Sequence, residues 1–395
     1  MLEFMERIID KSDCCGCAAC YASCGHNAIR MVESKGFFYP QIDPQICVDC
    51  GLCKSVCPIL YRDSANLTVD NQLYYACHNN DEKEWKASSS GGLFRILADY
   101  VIQQGGYVAG AIYDKNMEVR HLVTNIEKNL EKFRGSKYVQ SDTKTIFKEV
   151  KDILKKGKKV LFTGTPCQVE ALKCYLRKPF ENLLTCDIIC TSVPSPFVFR
   201  DYINFLETKH RKKVSWINMK DKTNGWPYAK TKVLFENDKS LFDCLDADLW
   251  IKAWATGLLS RPSCEHCRFT NYNRPGDLTI GDCWPVYHKK NAFSSPNGIS
   301  QLMINTEKGK LVFEAVKDKM TLMAITKEFA WQSKLEYPVV NNPLAADFWD
   351  DYKIMNFEKI AQKYWDYSLL KYYIKRYSPI LRKVRSLIVH KILKK

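Results

Sequence analysis

Two runs of cysteine limit what the first sixty residues can become. Cys14-Cys15-Gly16-Cys17-Ala18-Ala19-Cys20-Tyr21-Ala22-Ser23-Cys24 and Cys47-Val48-Asp49-Cys50-Gly51-Leu52-Cys53-Lys54-Ser55-Val56-Cys57-Pro58 each contain C-x2-C-x2-C-x3-C. Three closely spaced thiolates can wrap one face of a [4Fe–4S] cubane while the amides between them point at its sulfurs. The small residues Gly16, Ala18, Ala19 and Gly51 let the backbone come close. The following turn carries the fourth cysteine of each run away, and in two-cluster proteins of this pattern it ligates the other cluster. The expected ligand sets are therefore Cys14, Cys17, Cys20 and Cys57 for one cluster, and Cys47, Cys50, Cys53 and Cys24 for the other. Two zinc sites or a disulfide knot fit two complete copies of the pattern poorly. Cys15 is surplus and reads as a small buried thiol. Gly25 stands where Pro is usual, although Pro58 closes the second run.

Eighteen cysteines in 395 residues would suggest disulfides in a short secreted chain. This chain is long, its N-terminus lacks the basic-then-apolar order of a signal peptide, and no run nears the roughly 18 apolar residues that span a bilayer. It therefore reads as cytoplasmic, a compartment where clustered cysteines hold metal. The formal charge is +15, and three thiolate-bound clusters at about −2 each would lower it to about +9. Nine Lys or Arg and no acid fall between Tyr367 and Lys395. With no zinc-finger spacing and no RNA-binding aromatic motif, nucleic acid is not an expected partner.

Beyond a polar linker at 59–73 the pattern changes. Ser88-Ser89-Ser90-Gly91-Gly92 precedes an apolar-periodic helix over 93–104, followed by strands at 106–113 and 159–163 flanking a helix at 143–156. A helix at 169–177 and a strand at 183–189 come next. This alternation predicts an α/β domain with a mainly parallel sheet over 74–340, behind an α+β ferredoxin-type module at 1–60 and ahead of a helical basic tail at 345–395. Cys167 and Cys190 then fall just past the carboxyl ends of two strands, the edge where open α/β sheets bind ligands. Cys264-Glu265-His266-Cys267 adds two thiols at ligand spacing. Four thiols would suffice for a third cluster, but inert buried cysteines, a zinc half-site or a redox pair satisfy the same spacing.

Across almost the whole chain to Gly281-Asp282, the ordered motifs resemble the iron–sulfur flavoproteins related to the β subunit of coenzyme F420-reducing hydrogenase and F420H2 dehydrogenase. The matching segments are the doubled cysteine run, Ser90-Gly91-Gly92, Gly135-Ser136-Lys137-Tyr138-Val139-Gln140-Ser141, Gly164-Thr165-Pro166-Cys167-Gln168, Val193-Pro194-Ser195-Pro196, Cys264-x-x-Cys267 and Arg274-Pro275-x-Asp277-Leu278-Thr279-Ile280-Gly281-Asp282. The resemblance implies FAD beside a third [4Fe–4S] cluster held by Cys167, Cys190, Cys264 and Cys267. It also implies that Ser90, Gly91, Gly92, Ser136, Tyr138, Thr163, Gly164, Thr165 and Pro166 lie against the flavin. Two departures stand out: Thr191-Ser192 replaces the His-Gly that follows the strand in many relatives, and Cys283 stands where they often carry Phe, as a substitute ligand or an extra thiol.

Functionally, the chain reads as an iron–sulfur flavoprotein oxidoreductase with a substrate of its own, in cell-surface polysaccharide metabolism among other settings. The alternative is an electron-carrier subunit of a larger oxidoreductase, and the expected partner is a ferredoxin or such a subunit. The tail from Ile380 to Lys395 is amphipathic. It reads as a helix docked on the body or as an interfacial helix on anionic lipid at the inner membrane face.

Overall fold

The computed structural model describes residues 8–60, 72–236, 239–340, 342–368 and 370. Most of the 59–73 linker and all of the amphipathic run from Ile380 lie outside them. No helix among the described residues is long and apolar enough to cross a membrane.

The N-terminal module is an antiparallel hairpin, β1 (Ile29–Ser34) and β2 (Phe37–Ile42), with the short helices Ala19–Ser23 and Leu52–Ser55 beside the two cysteine runs. The remaining strands are β3 (Leu73–Asn79), β4 (Tyr107–Tyr113), β5 (Val119–Thr124), β6 (Val160–Gly164), β7 (Leu183–Ile188), β8 (Val214–Asp221), β9 (Lys230–Phe235), β10 (Ser240–Phe242), β11 (Leu278–Asp282), β12 (Ser300–Ile304) and β13 (Met320–Ile325). Eight of them form one sheet in the order β13-β3-β12-β11-β7-β6-β4-β5.

The sheet is mixed, which corrects the expectation of a mainly parallel one. The central strands β4, β6, β7 and β11 pair in parallel, while β5, β12, β3 and β13 join antiparallel. The cause at one edge is local. Asp114 Oδ1 accepts from the amides of Asn116 and Glu118, which closes a tight reversal after β4 and sends β5 back beside it. A three-stranded antiparallel sheet, β8–β10, lies apart from the main one and has no counterpart in the expectations drawn from sequence.

Helices cover both faces of the main sheet. Leu93–Gln103 and Glu307–Val316 pack with Leu161, Leu184 and Leu278 on one side. On the other, Ile146–Lys155 and Pro166–Leu176 pack with Val160 and Phe162, and Cys17, Ala19 and Val56 of the N-terminal module join that core. The module is thus built into the body. Its hairpin also reaches a third core, where Phe37 and Tyr39 meet Phe199, Trp250 and Trp349. Gly36 at the hairpin turn has φ +73°, and a Cβ there would come within 2.5 Å of the Trp349 ring. Only glycine permits both that backbone and that approach.

Candidate functional site

The helix after β6 begins three residues earlier than its apolar periodicity indicates. Thr165 and Gln168 form a reciprocal capping box and Pro166 occupies the first turn, where a missing N–H costs nothing. Cys167 therefore sits in the first turn of an eleven-residue helix, where the helix dipole favours a thiolate. β6 and β7 are adjacent and parallel, so Cys190 leaves the sheet beside it. The helical turn Pro262–Cys264 carries Cys264, and Cys267 follows. Together Cys167, Cys190, Cys264 and Cys267 line one space with Arg261, His266, Arg268 and Phe269. Burial raises the Cys190 thiol, and Cys264, Cys167 and Cys267 raise it further. Burial and the neighbouring Cys267 and Cys167 push Cys264 up to about 12, against a backbone hydrogen bond at Val193. Mutual elevation of this kind marks four thiols crowded together, each costly to ionise until a cation balances it.

In the module, Cys14, Cys17, Cys20 and Cys57 line a second space with Gly16, Ala18 and Ile59. Burial raises the Cys20 thiol, with Cys14 and Cys57 adding to it. Positive φ at Gly16 and Ala18 curls the loop around this space. Cys24, Cys47, Cys50 and Cys53 line a third space with Ile29, Ile42 and Leu52, and Cys50 is exposed. The Ala28 amide points at the Cys24 sulfur from 3.3 Å. Each run thus sends its fourth cysteine to the other run's group. Among the described residues no three His, Cys, Asp or Glu side chains stand ready for a single metal ion. All three sets instead border spaces, and a cubane with iron at its corners takes four thiolates around its outside. The donors fit that group.

Cys15 is more than the surplus buried thiol the sequence suggests. It is half-buried, and its thiol neighbours are Cys17 and Cys167. It borders the first module space and the α/β space alike. Cys283 has no place in either. It lies among Ala76, Val286 and Ile299, and its thiol neighbour is Cys77.

The residues carried over for a flavin share the carboxyl edge of the sheet, and the fold already uses their side chains. Ser90 Oγ donates to the Ile299 carbonyl, Ser136 Oγ to Ser89 Oγ, and Thr163 Oγ1 to the Ala109 carbonyl. Gly91 is glycine because the Cys77 carbonyl and Ser300 occupy its Cβ position, while Gly92 starts the helix Leu93–Gln103 with φ +80°. Gly164 packs against Gln168, and Thr165 and Pro166 are spent on the helix cap. The Tyr138 ring stacks on Trp254 at 4.4 Å. The Ser136 amide donating to Ser89 Oγ joins two of these segments at 2.8 Å.

Several residues that the sequence reading gave no structural role hold the site together. Arg274 is wholly buried and pairs with the equally buried Asp187 at 2.6 Å. Asp277 accepts from the Thr185 amide and hydroxyl, so the Arg-Pro-x-Asp motif latches β11 onto β7. His121 anchors the Thr163 turn. Its Nε2–H donates to the Thr163 carbonyl while Nδ1 accepts from Ser141 Oγ, which itself accepts from Gln168 Nε2. Burial lowers the His121 pKa to about 4, more than the Thr163 carbonyl restores. The unfolded chain would take up that proton near pH 6.5, so stability is full above 6.5 and falls as pH drops toward 4. Between pH 7 and pH 5 the loss should be about 2 kcal/mol in urea unfolding. A His121→Gln variant should not show that increment, and an equal pH slope in both proteins would discard the assignment.

Comparison with known proteins agrees with the cysteine pattern. Residues 13–59 match the 4Fe-4S dicluster domain, and residues 157–328 match the family described as the C terminus of the coenzyme F420 hydrogenase/dehydrogenase beta subunit. The chain is 21% identical over 338 residues to a subunit of the F(420)H(2) dehydrogenase of Methanosarcina mazei, covering 81% of this chain and 86% of that one. It is 23% identical over 334 residues to the coenzyme F420-dependent sulfite reductase of Methanocaldococcus jannaschii, covering 80% of this chain but 48% of that protein. A solved chain of the F420-reducing [NiFe] hydrogenase complex of Methanosarcina barkeri aligns with TM-score 0.44 at 19% identity, over 75% of this chain and 93% of that one. A 4Fe-4S dicluster domain at residues 13–59 thus stands ahead of a region, residues 157–328, that matches the C terminus of the coenzyme F420 hydrogenase/dehydrogenase beta subunit.

Proposed function

We propose that this chain is an electron-carrying subunit of a larger oxidoreductase, with three [4Fe–4S] groups held by its three thiol sets. The observation that carries this reading is the continuity of sulfur. The Cys14 set and the Cys167 set are separate spaces, and Cys15 borders both. Iron–sulfur groups supply one-electron transfer when bound. The protein's contribution is to bury the thiols, bring two sets together across the module boundary, and leave the third near solvent at Cys50. The relatives favour a subunit over a free-standing enzyme. One is named as a subunit, and the match to the sulfite reductase leaves about half of that protein without a counterpart here. The partner is accordingly another subunit of an oxidoreductase, and coenzyme F420, named for both relatives, is the carrier the complex would serve.

A flavoprotein is the second reading, supported by the convergence of the Ser89 and Ser136 segments at the carboxyl edge of the sheet. With the side chains there already spent, a flavin would rest on main-chain amides at the start of the helix Leu93–Gln103.

Anaerobically reconstituted chain should contain about twelve iron atoms. It should be reduced by dithionite, yet convert no small substrate when given only a reduced ferredoxin. Its acid-denatured supernatant should lack flavin absorbance. Flavin in the supernatant would favour the second reading, and substrate turnover by the chain alone would replace the carrier reading with an enzyme.

A further inference from the structure

The described residues hold two large, wholly buried arginines, and only one has an anionic partner. Arg274 meets Asp187. Arg261 is just as buried, and all its hydrogen bonds go to neutral acceptors. Nε donates to the Cys14 carbonyl at 2.6 Å, Nη1 to Gln140 Oε1 at 3.0 Å, and Nη2 to the Phe38 carbonyl at 3.0 Å. Its guanidinium faces the Tyr39 ring at 4.3 Å and the Phe37 ring at 5.3 Å. No carboxylate among the described residues forms an ion pair with it. A buried cation in that condition is strongly disfavoured unless something anionic stands nearby.

The thiols are what stand nearby. Arg261 borders the space lined by Cys167, Cys190, Cys264 and Cys267. On its other side it holds the loop of the Cys14 set. A Cβ on Gly16 would come within 2.5 Å of Nη1, so the loop is moulded onto the guanidinium.

We propose that Arg261 is the internal counter-cation of the iron–sulfur groups on both sides of the module boundary, raising their reduction potentials while fixing the two sets against each other. The proposal rests on the reading that these thiols hold clusters. Each thiolate-bound cubane carries about −2, and reduction adds one more negative charge. A fixed cation in a low-dielectric setting makes that addition less costly. Arginine suits the position because its planar fork can serve three acceptors on two modules without losing its charge. Arg261 acts through the clusters' surroundings and is a positioning residue.

The test compares Arg261→Gln and Arg261→Lys in the full iron-loaded chain by dithionite titration followed by electron paramagnetic resonance. In Arg261→Gln with wild-type iron content, at least one cluster should become harder to reduce. The expected shift is about tenfold in its one-electron equilibrium, or about 59 mV. Arg261→Lys keeps the charge and should titrate as wild type. Unchanged potentials in fully loaded Arg261→Gln would overturn the proposal. If Arg261→Gln loses iron, Arg261→Lys decides. Wild-type iron and potentials uphold the role of charge, and a loss of either refutes it in favour of the hydrogen bonds alone. Wild-type iron near eight instead would remove the third cluster but leave the expectation for the Cys14 cluster standing, so the two failures read differently.

Discussion

Anaerobically reconstituted Cys264→Ala protein is expected to hold about eight iron atoms per chain against about twelve in the wild type. Cys264 is one of four thiols around the α/β space and lies on a short turn outside the sheet, so its loss should leave the fold intact. The two module sets share no ligand with it and should stay loaded. Cys264 is a cleaner choice than Cys167, because Cys15 borders the same space beside Cys167 and could supply a replacement sulfur. The missing four atoms should be matched by the loss of one electron per chain in a reductive titration. A Cys264→Ala protein that still carries twelve iron atoms would remove this residue from the ligand set.

Arg274→Met should destabilise the iron-loaded chain by about 3–5 kcal/mol in urea unfolding, the range for breaking one side of a buried pair. Asp187 would be left fully buried, with the Gly276 amide donating to its other oxygen and no cation beside it. The effect should reach the site, since Asp187 lies near the end of β7, the strand that leads to Cys190. The Arg274→Met/Asp187→Asn double variant should recover most of the loss, because its partners fall silent together. A single variant within about 1 kcal/mol of wild type would show that this latch contributes little.

What the sequence made legible was local. The spacing of the doubled cysteine run depends only on how far a short loop can reach around a cubane, and most strands and helices between 93 and 189, though not β5, followed from periodicity over a dozen residues. The grouping of Cys167 with Cys190 was open to topological reasoning, because parallel neighbours end at the same edge. The start of the helix at Pro166 was also written locally, in Thr165 and Gln168, but the apolar pattern drew attention to Val169 instead. Arg261 was not legible. Nothing at position 261 announces contacts with Cys14, Phe38 and Gln140, which lie more than a hundred residues away. Cys15 likewise shows its place only when two distant segments are packed together. The antiparallel strands β12, β3 and β13 were missed for the same reason, since their directions are set by distant neighbours, whereas the reversal into β5 was written locally at Asp114 and overlooked.

The contact between Gly36 and Trp349 bears on how this protein is made. A ribosome completes the second cysteine run early and the indole that covers the hairpin nearly three hundred residues later. At about 5–20 residues per second, that interval lasts on the order of tens of seconds. Through that interval the nascent module holds nine thiols without the wall that later shelters it. Iron delivery during translation therefore has a built-in window, and oxidants have the same one. Slowing elongation between codons 60 and 340 should lengthen both, favouring loading when air is excluded and thiol oxidation when it is not.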